Sequence, residues 1–426
     1  MNAAPHPLRE RAITILADLV GFPSVSLQPN DGIVSYIEGW LGDHGISCWR
    51  DAHEDGERFN LLARIGPQEG PGAESGILLS GHLDVVPADA AGWEDDPWRL
   101  RREGGRLYGR GAVDMKGFLA MALAQAPEFQ AHAGSLTEPL YLAFTFDEEI
   151  GCFGAERMPE FLASCGAKPR IAIIGEPTEM TPISGHKGGM ELVTHIRGAA
   201  GHASKPAEGV NAIFAAARLI TFIDQLAHEC AGAPHDGSPF DPPHSTLSVG
   251  TVRGGEARNI IPDSCSLDWE IRAHPGEDPH LLRRKVEDFV ATDILPALRA
   301  THPDCEVVTE MLCDVPPLEA REISSAADLV ARLWTNQAQA PGVVSFGTDG
   351  SYFQAAGLDT IVIGPGGMAQ MDAGAASFTT YLTPAQVVPY PENLVQRTDT
   401  HPMAYLAEWM AGHGFAKARI GYESDS

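Results

Sequence analysis

Residues 78–117 read LLSGHLDVVPADAAGWEDDPWRLRREGGRLYGRGAVDMKG, and the fold turns on how this stretch is read. The apolar run Ile77, Leu78 and Leu79 ends in Gly81-His82-Leu83-Asp84, a buried strand feeding a loop that carries an imidazole and a carboxylate. Gly109 and Gly111 mark a turn that delivers Asp114 to the head of an apolar helix, Met115 to Ala126. Imidazole plus carboxylate at strand and helix ends suits a divalent ion of zinc's character. A lone His-x-Asp can equally cap a loop, so the rest of the chain has to decide.

Two further strands decide for a site. Residues 139–147, PLYLAFTFD, predict a strand running into Glu148-Glu149, and residues 170–176, RIAIIGE, a buried strand ending in Glu176. One carboxylate of an adjacent pair can bind an ion while the other handles protons. Helices over 7–21 and 33–44 and strands near Cys48 and 61–65 come before them. Strands alternating with helices predict an α/β fold, a mixed or parallel sheet flanked by helices. The polar strand ends His82, Glu148/Glu149 and Glu176 then gather at its carboxyl edge, where such sheets place their sites.

Near Gly185 the pattern changes. Residues 190–197 alternate as a strand with one exposed face, followed by a helix over 210–230, strands over 245–252 and 264–272, and a helix over 279–298. This predicts a smaller α+β unit, 185–299, inserted into a sheet domain made of 1–184 and 300–426. The sheet domain is expected to resume with a strand at 305–312, a helix at 322–338 and a strand at 359–363 that ends in Gly364-Pro365-Gly366-Gly367. Residues 371–400 hold neither helical nor strand period, and an amphipathic helix is expected over 403–410.

The length of 426 residues predicts more than one domain, and 44% hydrophobic residues suffice for full cores. With 57 acidic against 30 basic residues the net charge is -27, which excludes the basic footprint of a nucleic-acid binder. Seven scattered cysteines without a CxxC pair predict reduced thiols and a cytoplasmic protein. The first residues lack the apolar core of a signal peptide, and no stretch is apolar for long enough to span a bilayer.

Eight motifs carry a family resemblance: LLSGHLDVVP, GRGAVDMKG, FDEEIGCFGA, IIGEPTEM, GHKGG, GAAGHASKPAEGVNAI, FDPPHSTLSVGTVRGGEARNIIP and SFGTDGSYFQAAG, spread over residues 78 to 357. The chain resembles the M20 family of metallo-aminoacylases and peptidases, and within it the acetylornithine deacetylase branch. The resemblance implies a catalytic domain with an inserted lid and dimerisation domain, and two divalent ions, Zn²⁺ first, with Co²⁺ or Mn²⁺ as substitutes. It implies His82 and Glu176 on one ion, Glu149 on the other, Asp114 bridging and Asp84 orienting His82. Glu148 would be the general base, and His202 would steady the oxyanion across a dimer interface. Asn259 and Arg272 match residues near the substrate, and Gly347 to Asp349, with Thr348 between them, and the 364–367 turn match loops lining its pocket. Lys187-Gly188, after His186, reads first as a plain turn, with a hinge or a substrate contact as the functional alternatives. The reaction implied is N-acetyl-L-ornithine plus water giving L-ornithine and acetate, in a cytoplasmic homodimer with no nucleic-acid or membrane partner. A succinyl-diaminopimelate desuccinylase or a dipeptidase is the alternative within the class. A metal-poor binding or dimerisation relative is the alternative outside it.

The chain departs from the family at the last metal ligand. Where the family places a histidine, the sequence has Asp372, within Ala369-Gln370-Met371-Asp372-Ala373. Three readings stand. Asp372 ligates, favouring harder ions such as Mn²⁺ or Mg²⁺; His401 folds back into the place; or the second metal position is weak or lost.

Overall fold

The computed structural model describes residues 7–70, 72–88, 93, 95–333 and 340–367, and the backbone of 381–382. The segment beyond 367, with both Asp372 and His401 and the helix expected at 403–410, otherwise lies outside the described residues. The described chain forms two compact units, one holding residues up to Ser184, Arg321–Gly342 and Thr348 onward, the other Gly185–Ala320 and Val343–Gly347.

In the first unit, α1 (Pro7–Val20) and α2 (Asp31–Asp43) precede β1 (Ser47–Ala52) and β2 (Phe59–Ile65). β3 (Ile77–His82) leads through the short hairpin β4 (Arg101–Glu103) and β5 (Arg106–Tyr108) to α3 (Lys116–Ala131). Then come β6 (Leu140–Thr145), α4 (Phe153–Ser164), β7 (Ile171–Ile174) and β8 (Ile183–His186), at whose end the chain leaves this unit. Every residue of β3, β6 and β7 is buried, as expected of parallel strands covered on both faces. β3 runs parallel to β6 and to β7. Leu16 and Leu19 of α1, Ile37 and Leu41 of α2 and Leu119 and Leu123 of α3 share one core with them.

The second unit contains β9 (Gly189–Arg197), β10 (Gly201–His202), α5 (Ala212–Gly232), β11 (Thr246–Gly254), β12 (Ile260–Ile261), β13 (Ser264–Arg272), α6 (Pro279–Phe289), α7 (Leu295–Arg299) and β14 (Glu306–Val315). Its sheet has the order β11-β13-β9-β14 with antiparallel neighbours, the split β-α-β arrangement. β13 alternates strictly, sending Cys265, Leu267, Trp269 and Ile271 into the core shared with α5 and α6. The strand expected at 305–312 was assigned from its sequence to the sheet domain, with the insertion ending at 299. This expectation is corrected. Glu306–Val315 pairs with β9 along nearly its whole length, so the insertion extends to Ala320.

The chain returns to the first unit with α8 (Ser325–Leu333), α9 (Gly350–Ala355) and β16 (Asp359–Val362), with β15 (Gly342–Val344) at the unit boundary between α8 and α9, and β17 (Tyr381–Leu382) pairs with β5. The large sheet has the order β1-β2-β6-β3-β7-β16-β8-β15. β16 is parallel to β7, while β1 with β2, β2 with β6 and β8 with β16 pair antiparallel. The mixed α/β class expected from the sequence is therefore the one observed. Four adjacent parallel strands, β6, β3, β7 and β16, must all end at the same edge.

A candidate metal centre at the carboxyl edge

Each parallel strand releases a polar residue at that edge. His82 is the last residue of β3 and lies in register with Thr145 of β6. Beyond β6, Asp147 takes a left-handed φ of +52°, which aspartate tolerates better than most side chains. Its carboxylate is held by the Leu27 N–H at 2.8 Å and by Arg58, and the reversal turns Glu148 and Glu149 back over the strand ends. Glu176 follows β7 after one glycine. Asp114 arrives from the other side, on the turn before α3. Gly111 permits that turn with φ +76°, where a Cβ would also lie 2.6 Å from Val85 Cγ1.

These residues form one cluster. His82 Nε2 is 2.9 Å from Asp114 Oδ1 and 3.9 Å from both Glu148 Oε2 and Glu176 Oε1. Single ligand atoms of His82, Asp114 and Glu176 all lie within 4.8 Å of one another, and Glu148, Cys152 and Asp349 form a second such group. The Glu149 backbone N–H donates to Asp84 Oδ2 at 3.3 Å, and its carboxyl feels the charge of Asp114.

Asp84 acts through two different groups. The His82 Nδ1–H donates to the Asp84 main-chain carbonyl at 2.9 Å, and the carboxylate is farther off at 3.5 Å. That carboxylate instead accepts the Ser26 hydroxyl at 2.7 Å and the Glu148 N–H at 3.0 Å. It therefore pins the backbone of the glutamate pair, while the peptide next to it sets the tautomer and tilt of the histidine.

The electrostatics call for a cation. Burial pushes the Glu148 carboxyl well above the usual range, and the charge of Glu176 adds to it. Glu176 is raised in the same way by burial and by Asp114. Burial opposes a charged His82, yet its bonds to Asp114 and Asp84 and the nearby glutamates outweigh burial and hold the ring's pKa well above its ordinary value. Burial also lowers Lys116, whose Nζ donates to the Phe22 carbonyl at 2.8 Å, to about 7. Glu176 Oε1 and Asp349 Oδ1 are buried with no hydrogen-bond partner among the described residues. Buried anions around one imidazole, with oxygens left over, fit divalent ions coordinated by N and O.

Asp349, expected only as part of a loop lining the substrate pocket, joins the cluster itself. It is 1% exposed, accepts the Thr145 hydroxyl at 2.6 Å and reaches the group around Glu148. Gly347-Thr348-Asp349-Gly350 reads as a turn in isolation; the usable signal is an acidic residue at the head of a short helix ahead of a buried strand. Thr348 is buried, its hydroxyl accepting the Gly350 N–H at 3.1 Å. The remaining candidates lie in the second unit. His202 is exposed on β10, with Nδ1 2.7 Å from Ser204 Oγ. Asn259 is its neighbour there, its carbonyl accepting the Ala203 N–H at 3.0 Å. Arg272, at the end of β13, is paired with Glu270 at 2.7 Å. A Cβ on Gly347 would touch Val315 Cγ1 at 3.1 Å. Lys187 is buried and donates to the His244 carbonyl at 2.8 Å.

A parallel-centred sheet presenting one histidine and a ring of carboxylates at its carboxyl edge defines an α/β protein with a candidate metal centre. The model of peptidase family M20/M25/M40 matches residues 78–388. The chain belongs to this family. The acetylornithine deacetylase of Myxococcus xanthus is 34% identical over 365 residues, which is 82% of this chain and 88% of that protein. A tripeptidase from Staphylococcus aureus shares the fold with a TM-score of 0.67 at 19% identity, over 95% of this chain and 99% of its own. A dinuclear metal-binding M20 peptidase of Bacillus subtilis does so with a TM-score of 0.61 at 16% identity, over 94% and 97%.

Proposed function

We propose that this chain is a metal-dependent amidohydrolase that cleaves N-acetyl-L-ornithine to L-ornithine and acetate. The observation that carries the reaction type is the buried cluster of His82, Asp114 and Glu176 with Glu148 3.9 Å from the imidazole. The 34% identity to an acetylornithine deacetylase supports the substrate. His82 and Glu176 would hold one ion and Glu149 another, with Asp114 shared; Zn²⁺ suits the donor set, with Co²⁺ or Mn²⁺ as replacements. When bound, such ions acidify water and polarise an amide carbonyl.

The chain's own groups do the rest. Glu148 takes the proton of the attacking water and returns it to the departing amine nitrogen. Asp84 keeps Glu148 in position through the backbone N–H it accepts. His202 donates to the tetrahedral oxyanion, and Arg272 with Asn259, Gly347 and Thr348 binds the amino-acid portion of the substrate. The setting in this reading is a cytoplasmic homodimer. The test is kcat/KM for N-acetyl-L-ornithine, N-succinyl-diaminopimelate and a set of dipeptides on the zinc- and cobalt-loaded protein. Acetylornithine should lead; a higher value for either of the other classes overturns the substrate, and no turnover of any amide overturns the reaction.

A further inference from the structure

A second group of metal-type donors lies wholly within the inserted unit. His235 sits on the segment between α5 and β11, and His274 and Glu277 follow the end of β13 where the chain enters α6. His235 Nε2 is 2.5 Å from Glu277 Oε1. The rings of His235 and His274 stack, with centroids 4.1 Å apart and planes 4° from parallel. One ring nitrogen of each histidine and one Glu277 oxygen lie within 4.8 Å of one another.

The outer contacts of these groups are those that metal ligands require. A ligating histidine normally gives its other N–H to a carbonyl, and a ligating carboxylate is itself hydrogen-bonded. His274 Nδ1 is 2.5 Å from the Pro275 carbonyl, which only a donating Nδ1–H can satisfy, so Nε2 carries the lone pair. That Nε2 accepts the Ser238 hydroxyl at 2.7 Å, a bond that an arriving ion would replace. Glu277 Oε2 accepts the Ser245 hydroxyl at 2.6 Å, and Ser245 Oγ in turn receives the His274 backbone N–H at 2.8 Å. The oxygen left over, Oε1, is the one that faces His235. His274 is 7% exposed, whereas the side chains of His235 and Glu277 are 40% and 26% exposed. The group is thus anchored on its inner side and open to an arriving ion on its outer side.

We propose that His235, His274 and Glu277 form a zinc site in the inserted unit, separate in residues and in purpose from the cluster at the sheet edge. Two imidazoles and one carboxylate are a three-ligand zinc set, with water in the fourth position. Stacked imidazoles direct their lone pairs side by side, so binding turns the His235 ring off the stack. The ion then takes the position of the Nε2 proton that Glu277 accepts in its absence, and Nδ1 carries that proton instead. The bound ion ties the segment between α5 and β11 to the head of α6. Its contribution is therefore to the stability of the inserted unit.

The test counts metal in the full-length protein after equilibration with Zn²⁺ and removal of free ion, for wild type, His235→Ala and Glu277→Gln. Glu277→Gln keeps an oxygen for the Ser245 hydroxyl and so guards against loss of fold. Each variant should carry one zinc fewer per chain than wild type, show a smaller zinc-dependent rise in Tm, and retain the turnover of wild type. Wild-type zinc content in both variants overturns the proposal and leaves the group as a hydrogen-bonded network.

Discussion

At the scale of single residues, Glu148 is defined by what surrounds it. It is a largely but not fully buried carboxyl near His82, raised first by burial and then by the charge of Glu176. Glu148→Gln keeps the volume and removes the proton acceptor. Turnover should fall by about 10²–10⁴-fold or more with the metal content unchanged; substantial residual activity in a metal-loaded variant would remove Glu148 from the proton-transfer role. Asp84 is predicted to behave differently from a simple histidine partner. Asp84→Asn retains the main-chain carbonyl that accepts from His82 and weakens the carboxylate bonds to Ser26 and to the glutamate backbone. It should therefore lower kcat, on the order of 10–100-fold, more than it lowers metal affinity. Isothermal titration with zinc beside steady-state kinetics separates the two, and an affinity loss larger than the kcat loss would contradict this division of labour.

Among the elements, the contact between β3 and α3 places two of the cluster's donors. A Cβ on Gly81 would lie 2.5 Å from Met115 Cε and 2.8 Å from Leu119 Cδ2. Both neighbours are ends of flexible side chains, so Gly81→Ala should fold, at a cost of about 1–3 kcal/mol in a urea midpoint measurement. The same elements show why part of the architecture could be read in advance. β3, β6 and β7 are short apolar runs that each stop at a histidine or acid, and in a parallel sheet that pattern alone brings the stops to one edge. β14 is the counterexample. Its alternation, CEVVTEML, suits any half-exposed strand, and only pairing across distant sequence assigns it to the four-stranded sheet. The place of Asp349 in the carboxylate cluster, beyond its expected pocket loop, was hidden for a related reason, since it depends on Thr145, far away in the chain. The choice between Asp372 and His401 falls outside the described residues.

For the whole molecule, the cluster ties stability to both pH and metal. Burial, then Asp114, raises Glu149 to about 8, whereas an unfolded glutamate titrates near about 4.3. Between these values the metal-stripped native chain holds protons that the unfolded chain has released, so its stability declines as pH rises through the window. His82, raised as well, acts in the same direction above the unfolded histidine value of about 6.5. A divalent ion bound at this edge would replace those protons. The Tm lost on chelation should therefore be larger near pH 8 than near pH 5, as scanning calorimetry with and without chelator would show; an equal loss at both would argue against ions at this edge.

The main inserted segment, Gly185–Ala320, begins and ends at one place. A Cβ on Gly185 would lie 3.3 Å from Ala320 N, and His186 and Leu318 exchange main-chain hydrogen bonds at 3.0 Å. A segment with adjacent ends is spliced into its host like a cassette, and a short linker from Ser184 to Arg321 can close the gap without stretching either stump. The shortened host still encodes His82, Asp84, Asp114, Glu148, Glu149, Glu176 and Asp349, but neither His202 nor Arg272. On the roles proposed above, the truncated host would keep ion capture and lose amide cleavage, so the two would part company in a single truncated gene product.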